Sequence, residues 1–238
     1  MDEQVKRVYS SPLRARQADQ TRREIVAAAS KLFVSCGYTA TTVEAIAAAA
    51  GVGRKTVFRS VGGKPECLKL AIDWAVTGDD VPVPLMERAR IQAAMQAPDA
   101  RWMLRDFAEH YAETAARSVP LLQVLAGAAG PDPTLRELHD EKERDHTFGM
   151  TNLAGHLDLR QALRDELTVT DAAQLLVAQT DGTIYHRLVI RHGWPTQRFA
   201  DWLADTLTHQ LIDPHYTVGP VPKTARATTL GIDLDARL

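Results

Sequence analysis

The chain has 238 residues, 45% of them hydrophobic and 24% charged, a formal net charge of −2 and two cysteines. That length can bury a sizeable core in one large or two small domains, while no apolar run reaches the roughly 18 residues of a membrane span. The charge is uneven: residues 1–64 hold 11 Lys and Arg against 5 Asp and Glu, net +6, and residues 65–238 hold 17 against 25, net −8. A basic head on an acidic body puts the attraction to phosphate at one end and repels nucleic acid from the other.

Residues 1–18 read as a flexible basic arm with Lys6, Arg7, Arg14 and Arg16. Such an arm can follow phosphates or enter a minor groove, and an unstructured terminus has the same composition. The opening MDEQVKRVYSSPLRAR lacks the apolar centre of a signal peptide, so a cytoplasmic protein with no membrane partner is expected. From Ala18 to Cys36 the apolar positions Ile25, Ala28, Ala29, Leu32 and Phe33 keep helical spacing, and Gly37 fits a left-handed stop. Cys36 and Cys67, with no CxxC spacing, read as small helix-packing residues rather than a zinc site or a disulfide.

Residues 42–60 then predict two short helices joined by a tight turn. Thr41 is the expected N-cap, with Glu44 three residues on to complete a capping box. Ile46, Ala47 and Ala50 give the first helix its apolar stripe, and Val52 and Val57 anchor the second. Gly51 stands where the chain must turn through positive φ, a region that glycine enters without steric cost. Ala47, Gly51 and Val57 thus have the spacing of a helix-turn-helix, with a small residue at the crossing, a glycine in the turn and a β-branched residue packing the second helix back. Arg54, Lys55, Thr56, Phe58, Arg59 and Ser60 are left at or near the exposed side, where cationic and hydroxyl donors suit base edges and phosphates. Gly62-Gly63 breaks the chain, and Lys64 opens a fourth helix with Leu68, Ala71, Ile72 and Ala75 on one face.

With Thr21, Arg22, Gly37, Tyr38 and Thr42 upstream, residues 21–75 resemble the DNA-binding domain of TetR-family transcriptional regulators. The resemblance implies that Arg54, Lys55, Thr56, Phe58 and Arg59 enter the major groove, that Arg22, Thr42 and Lys64 hold phosphates, and that the helix from Lys64 links head to body. The family usually has Tyr where this chain has Phe58, His or Tyr at Ser60, and Phe at Val61. Losing the Tyr hydroxyl removes one phosphate contact.

Gly78 to Pro84 is a loop by its prolines and charges. Residues 98–117 predict a helix with Met103, Leu104, Phe107, Ala108, Tyr111 and Ala115 inward, Pro120 starts another, and residues 134–157 form a long one. Thr170 is the expected cap of a helix reaching His192, and a last helix runs from Thr196 to Leu211. Leu175, Gln179, Gly182 and His186 on the first of this pair, with Phe199, Trp202, Leu203 and Leu207 on the second, form faces that can join a symmetry mate in a four-helix bundle. Residues 213–238, with Pro214, Pro220 and Pro222, read as an extended tail.

His139, Glu143 and His146 fall on one face of the long helix and copy half of a di-iron signature, but no second copy exists in the sequence. A solvated face of charges is the favoured reading of that cluster, and no metal or other cofactor is expected. There is no GxSxG, GxGxxG or Walker motif, so no catalytic residue is assigned. The expected fold is all-α, with a three-helix helix-turn-helix domain at 19–64 and a larger helical ligand-binding and dimerisation domain at 65–212. The expected function is a transcriptional regulator of repressor type, bound as a homodimer to a pseudo-palindromic double-stranded DNA operator and released by an apolar small-molecule effector. Trp102, Met103, Phe107, Tyr111, Leu122, Phe148 and Gln179 are the candidate ligand wall, aromatics supplying area and Tyr111 or Gln179 a polar anchor. The competing reading is a helical enzyme or metal-binding protein with an incidental helix-turn-helix.

Overall fold

The computed structural model describes residues 12–219. It is all-α, and the only bridge between extended residues among them joins Leu163 to Ile212. α1 (Pro12–Ala40) starts inside the segment expected to be an arm. Proline is favoured in a first helical turn, and the Arg, Ala and Gln that follow are strong helix formers, so residues 12–18 extend the helix. Lys6 and Arg7 lie outside the described residues. Gly37, at φ +77°, breaks the helical path near the end of α1.

α2 (Val43–Ala49) and α3 (Arg54–Ser60) form the helix-turn-helix. The cap of α2 is Thr42, whose Oγ1 accepts from the Ala45 amide at 3.1 Å. Thr41 is instead buried, and its hydroxyl donates to the Gly37 carbonyl at 2.8 Å, tying the α1 break to the entry of α2. Glu44 is therefore free of a capping box. α4 (Lys64–Thr77) ends on Gly78, a left-handed C-cap at φ +86°.

A 3₁₀ turn (Leu85–Glu87) and α5 (Ala89–Met95) follow, neither of which the sequence pattern had signalled. α6 (Ala100–Ala129) is one continuous helix through Pro120, where two were expected. Proline orphans the carbonyl four residues back; that residue, Ala116, lies on an exposed turn where water can serve it. Buried Val119 before the proline and Leu121 and Leu125 after it carry the apolar stripe across that point. α7 (Pro133–Asp158) is capped by Asp132.

The next helix was expected as one piece to His192. It is α8 (Val169–Thr180), then a break at Gly182 with φ +87°, a short α9 (Thr183–Tyr185) and a π-helical stretch (His186–Arg191). Its cap is Thr168, in a reciprocal capping box with Asp171. α10 (Thr196–Leu211) closes the body against α6. The first residues of the expected tail are also structured. Tyr216 is buried, its hydroxyl accepting from the Ala100 amide at 3.2 Å, with Arg101 stacked on its ring.

Two apolar cores organise these helices. One joins the first half of α6 to the second half of α7, α8, α10 and Tyr216. The other joins α1, α2, α3 and α4 to the far ends of α6 and α7, through Leu121, Leu125, Leu135 and Leu138. The head core is thus completed by body helices, with α4 between them.

Candidate nucleic-acid interface and sensor body

The turn between α2 and α3 is built from backbone. Gly51 stands at φ +67°, and the Val52 amide bonds the Ala47 carbonyl at 3.0 Å. Ile46, Ala47 and Val57 are buried, so α3 is held by one face and presents the other. Arg54, Lys55, Phe58 and Arg59 are exposed on it, with Thr56 half-buried. The Arg54 Nε lies 2.7 Å from Glu44 Oε1, and its guanidinium lies 5.3 Å from the Phe58 ring centroid. Arg54 is therefore held by α2 and by its own helix before any ligand arrives. Glu44 was not singled out as a site residue; its partner lies across the turn, at a spacing no single-helix rule detects.

Of the three residues expected at phosphates, each has an internal partner. Arg22 Nε donates to the Ser60 carbonyl at 3.1 Å, tying α1 to the last turn of α3. Thr42 caps α2 but remains exposed. Lys64 Nζ donates to the Tyr38 carbonyl at 3.1 Å and sits 4.0 Å from the Tyr38 ring centroid. Tyr38 stacks on Phe33, and burial first, then Asp132 and Glu66, push its hydroxyl pKa up to about 12. Lys64 is thus half-buried as a staple between α4 and the end of α1.

The body places its expected residues less uniformly. Met103 is fully buried, Phe107 and Tyr111 pack beside it, and Trp102 is 50% exposed. Leu122 belongs to the head-side core instead, and Phe148 is half-buried. The seven ligand-wall residues therefore do not surround one space. Both polar anchors are buried: Gln179 Oε1 has no hydrogen-bond partner, and the Tyr111 hydroxyl has only the Gly182 backbone beside it. Burial, then the charge of Asp181, raises the Tyr111 pKa well above its usual value.

On the expected dimer faces, Phe199, Leu203 and Leu207 are fully buried within the protomer. Phe199 sits in an aromatic cluster with Tyr185 at 5.0 Å and Tyr111 at 6.2 Å between centroids. These three residues fill the chain's own core and are unavailable to a partner. Gly182 likewise faces inward; a Cβ there would meet Val119 Cγ2 at 3.2 Å. Leu175, Gln179, His186 and Trp202 are half-buried, and Gln179 Nε2 reaches Gln210 Oε1 at 3.4 Å, joining α8 to α10.

His146 departs from the solvated face it was assigned. Its Nε2 is 2.9 Å from Thr180 Oγ1, and burial holds its pKa below the ordinary value. His139 lies beside Asp140, Glu143 is exposed, and no metal-holding group of three ligands occurs among the described residues. Cys67 is buried, with its thiol pushed up to about 11 by burial, then by Glu66; Cys36 is exposed rather than packed. Among the described residues no helix is long and apolar enough to cross a membrane.

The sequence pattern did not show how α4 is fastened to α7. Lys142 Nζ is 2.8 Å from Asp73 Oδ1 and 3.1 Å from Asp145 Oδ2, and Lys69 pairs with Glu141. Burial is the largest single influence on Lys142 and works against its charge, but Asp73 and Asp145 together outweigh it and hold the pKa above its ordinary value.

Residues 25–71 match the family model of bacterial regulatory proteins, tetR family. No curated protein matches the chain in sequence. Among solved structures, NalD, the secondary repressor of the MexAB-OprM multidrug efflux pump in Pseudomonas aeruginosa, is 20% identical. It aligns over 84% of this chain and 99% of its own, with a TM-score of 0.64. The SmeT–triclosan complex is 21% identical over 86% and 98% of the two chains, with a TM-score of 0.59. A putative transcriptional regulator from Saccharomonospora viridis in complex with choline is 18% identical over 82% and 99%, with a TM-score of 0.62. At such identities the likeness is one of fold, and it extends over the body as well as the head.

Proposed function

We infer, from the match of residues 25–71 to the tetR family model and from the helix-turn-helix they form, that the protein is a transcriptional regulator of repressor type. It acts as a homodimer on a pseudo-palindromic operator and leaves it when a small molecule binds the body. The observation that carries this reading is the exposed face of α3, where Arg54, Lys55 and Arg59 stand on a helix anchored by buried Val57. In the complex Arg54, Lys55, Thr56, Phe58 and Arg59 face the major groove, and Arg22, Thr42 and Lys64 the flanking phosphates. Arg22 and Lys64 must exchange or share their internal carbonyl partners to do so.

One short helix reads only a few base pairs, too few to find a single site among genomic competitors, so two-fold symmetry is required. With Phe199, Leu203 and Leu207 committed to the protomer core, the surface left for a partner is Leu175, Ala178 and Gln179 on α8 with Trp202, Thr206 and Gln210 on α10. For the effector, two structures of similar fold are complexes with triclosan and with choline, which supports a small-molecule ligand here, and we place it in the helical body. The unpartnered Gln179 Oε1 is the group that gains most from a polar ligand atom, and the buried Tyr111 hydroxyl is the second candidate anchor.

The test is to select duplex DNA from a random pool with the purified protein and measure its affinity by fluorescence anisotropy. Alanine at 54, 55 and 59 together should abolish selective binding. Selective binding that survives the triple substitution would show that α3 is not the reading helix.

A further inference from the structure

At the junction of head and body, α1, α4 and α6 leave an open groove of about 450 Å³. The volume falls in the range of small-molecule sites. Its floor is apolar: Val26, Ala71 and Leu121 are buried and Trp74 half-buried. Its rim is charged, and the charges do not cancel. Asp80 is taken by Arg23 at 2.6 Å, and Asp79 is held by both terminal nitrogens of Arg88, at 2.7 and 2.9 Å. Arg117 remains. Its Nε donates to the Ala75 carbonyl at 3.0 Å and one terminal nitrogen reaches Thr114 Oγ1 at 3.4 Å, but among the described residues no carboxylate pairs with it.

Arg117 is also fixed in place. It lies over the last turn of α4 where Gly78 has no side chain, with a guanidinium nitrogen 3.4 Å from where a Cβ would stand. One terminal nitrogen is left with its donors unused, and Arg117 lines the groove together with Trp74.

We propose that this groove is a binding site for an amphipathic organic monoanion. The hydrocarbon body lies on Val26, Ala71, Trp74 and Leu121, and a carboxylate is received by Arg117. The site is separate from the body interior around Tyr111. A molecule seated there touches the head through α1, the link through α4 and the body through α6. It therefore sets the angle at which α4 joins the head to the body.

The test uses the full-length protein without DNA, so its outcome is independent of the DNA-binding reading. Decanoate, 1-decanol and decyltrimethylammonium are titrated by calorimetry and tryptophan fluorescence, with circular dichroism to confirm that each variant is folded. Ala27→Trp fills the groove from an exposed position on α1, and Arg117→Gln removes the charge. Decanoate should saturate at one per chain, and the ammonium analogue should bind at least about ten-fold more weakly. Ala27→Trp should abolish decanoate binding. Arg117→Gln should weaken it roughly ten-fold, as expected for loss of a hydrogen bond to a charged group, and leave 1-decanol unaffected. The proposal is overturned if decanoate shows no saturable binding, or if its affinity is unchanged in either folded variant.

Discussion

Glu44→Gln should tighten DNA binding. Arg54 Nε and Glu44 Oε1 are 2.7 Å apart, with 63% and 62% of the two side chains exposed. An exposed pair of this kind is worth up to about 1 kcal/mol. The Phe58 ring, 5.3 Å from the guanidinium, adds about 0.5–1 kcal/mol in an exposed setting. Arg54 gives up the first term when it turns to a base edge, and the second only if it also leaves the ring. Removing the Glu44 charge removes the first term and also a negative charge near the phosphates.

The gain is therefore about 0.5–1 kcal/mol for each recognition helix, and roughly 1–2 kcal/mol for a dimer, or about 5- to 30-fold in operator Kd. Stability should change by less than about 1 kcal/mol, because the pair is on the surface. Anisotropy titrations of operator and scrambled duplex at two salt concentrations separate the effects. A tighter operator complex with a smaller gain on scrambled DNA supports release of Arg54 for readout. Operator affinity that stays equal or falls in Glu44→Gln would refute the argument, because it would mean that Glu44 positions Arg54 for DNA instead of competing with it.

Leu207, fully buried, should cost about 2–5 kcal/mol of protomer stability on replacement by Ala, with a urea midpoint that falls equally at all protein concentrations. Ala178→Arg on the exposed side of α8 should leave the protomer folded and yield monomer in sedimentation; an unchanged dimer would displace the interface from that face. Lys142→Met should cost about 1–3 kcal/mol by denaturant melt, between exposed and buried ion-pair values, since only 15% of the Lys142 side chain is exposed; a loss below about 0.5 kcal/mol would show that α4 is not fastened there. His110, His146 and His156 are each held below the ordinary 6.5, in every case chiefly by burial. The unfolded chain then takes up protons that the folded chain refuses, so their contribution is full above pH 6.5 and is lost as pH falls below it; Tm should drop between pH 7.5 and 5.5, less steeply in His146→Asn, and a flat profile would contradict the assignment.

The head was readable because its signals are local. Ala47, Gly51 and Val57 lie within eleven residues, and each needs only its neighbours to do its work. The body was readable as helices but not as surfaces. Hydrophobic periodicity correctly marks Phe199, Leu203 and Leu207 as one stripe of α10, yet it reports that a face is buried and not what buries it. Here α6 of the same protomer does so. Gly182 misled for a related reason. A glycine on a helical stripe has the same letter whether it permits a close helix crossing or a left-handed break, and only the φ of +87° decides. Pro120 erred in the other direction, because proline disfavours a helix interior only where the lost bond cannot be offset.

The arrangement of the two cores bears on how a signal could travel. Leu121, Leu125, Leu135 and Leu138 carry α6 and α7 into the core that also holds Ile25, Ile46 and Val57. The head is therefore not a bead on a linker; any change in how α6 and α7 pack is felt by the residues that hold α3. α4 is pinned at both ends of its length, by Lys64 on Tyr38 toward the head and by Asp73 on Lys142 toward the body. A ligand that moves α7 must then either carry α4 with it or break the Lys142 pair. Allosteric coupling is typically about 1–3 kcal/mol, comparable to that pair, so breaking it would consume most of the signal. Carrying α4 as a rigid lever is the cheaper route, and it predicts that Lys142→Met uncouples effector from DNA while leaving each able to bind alone.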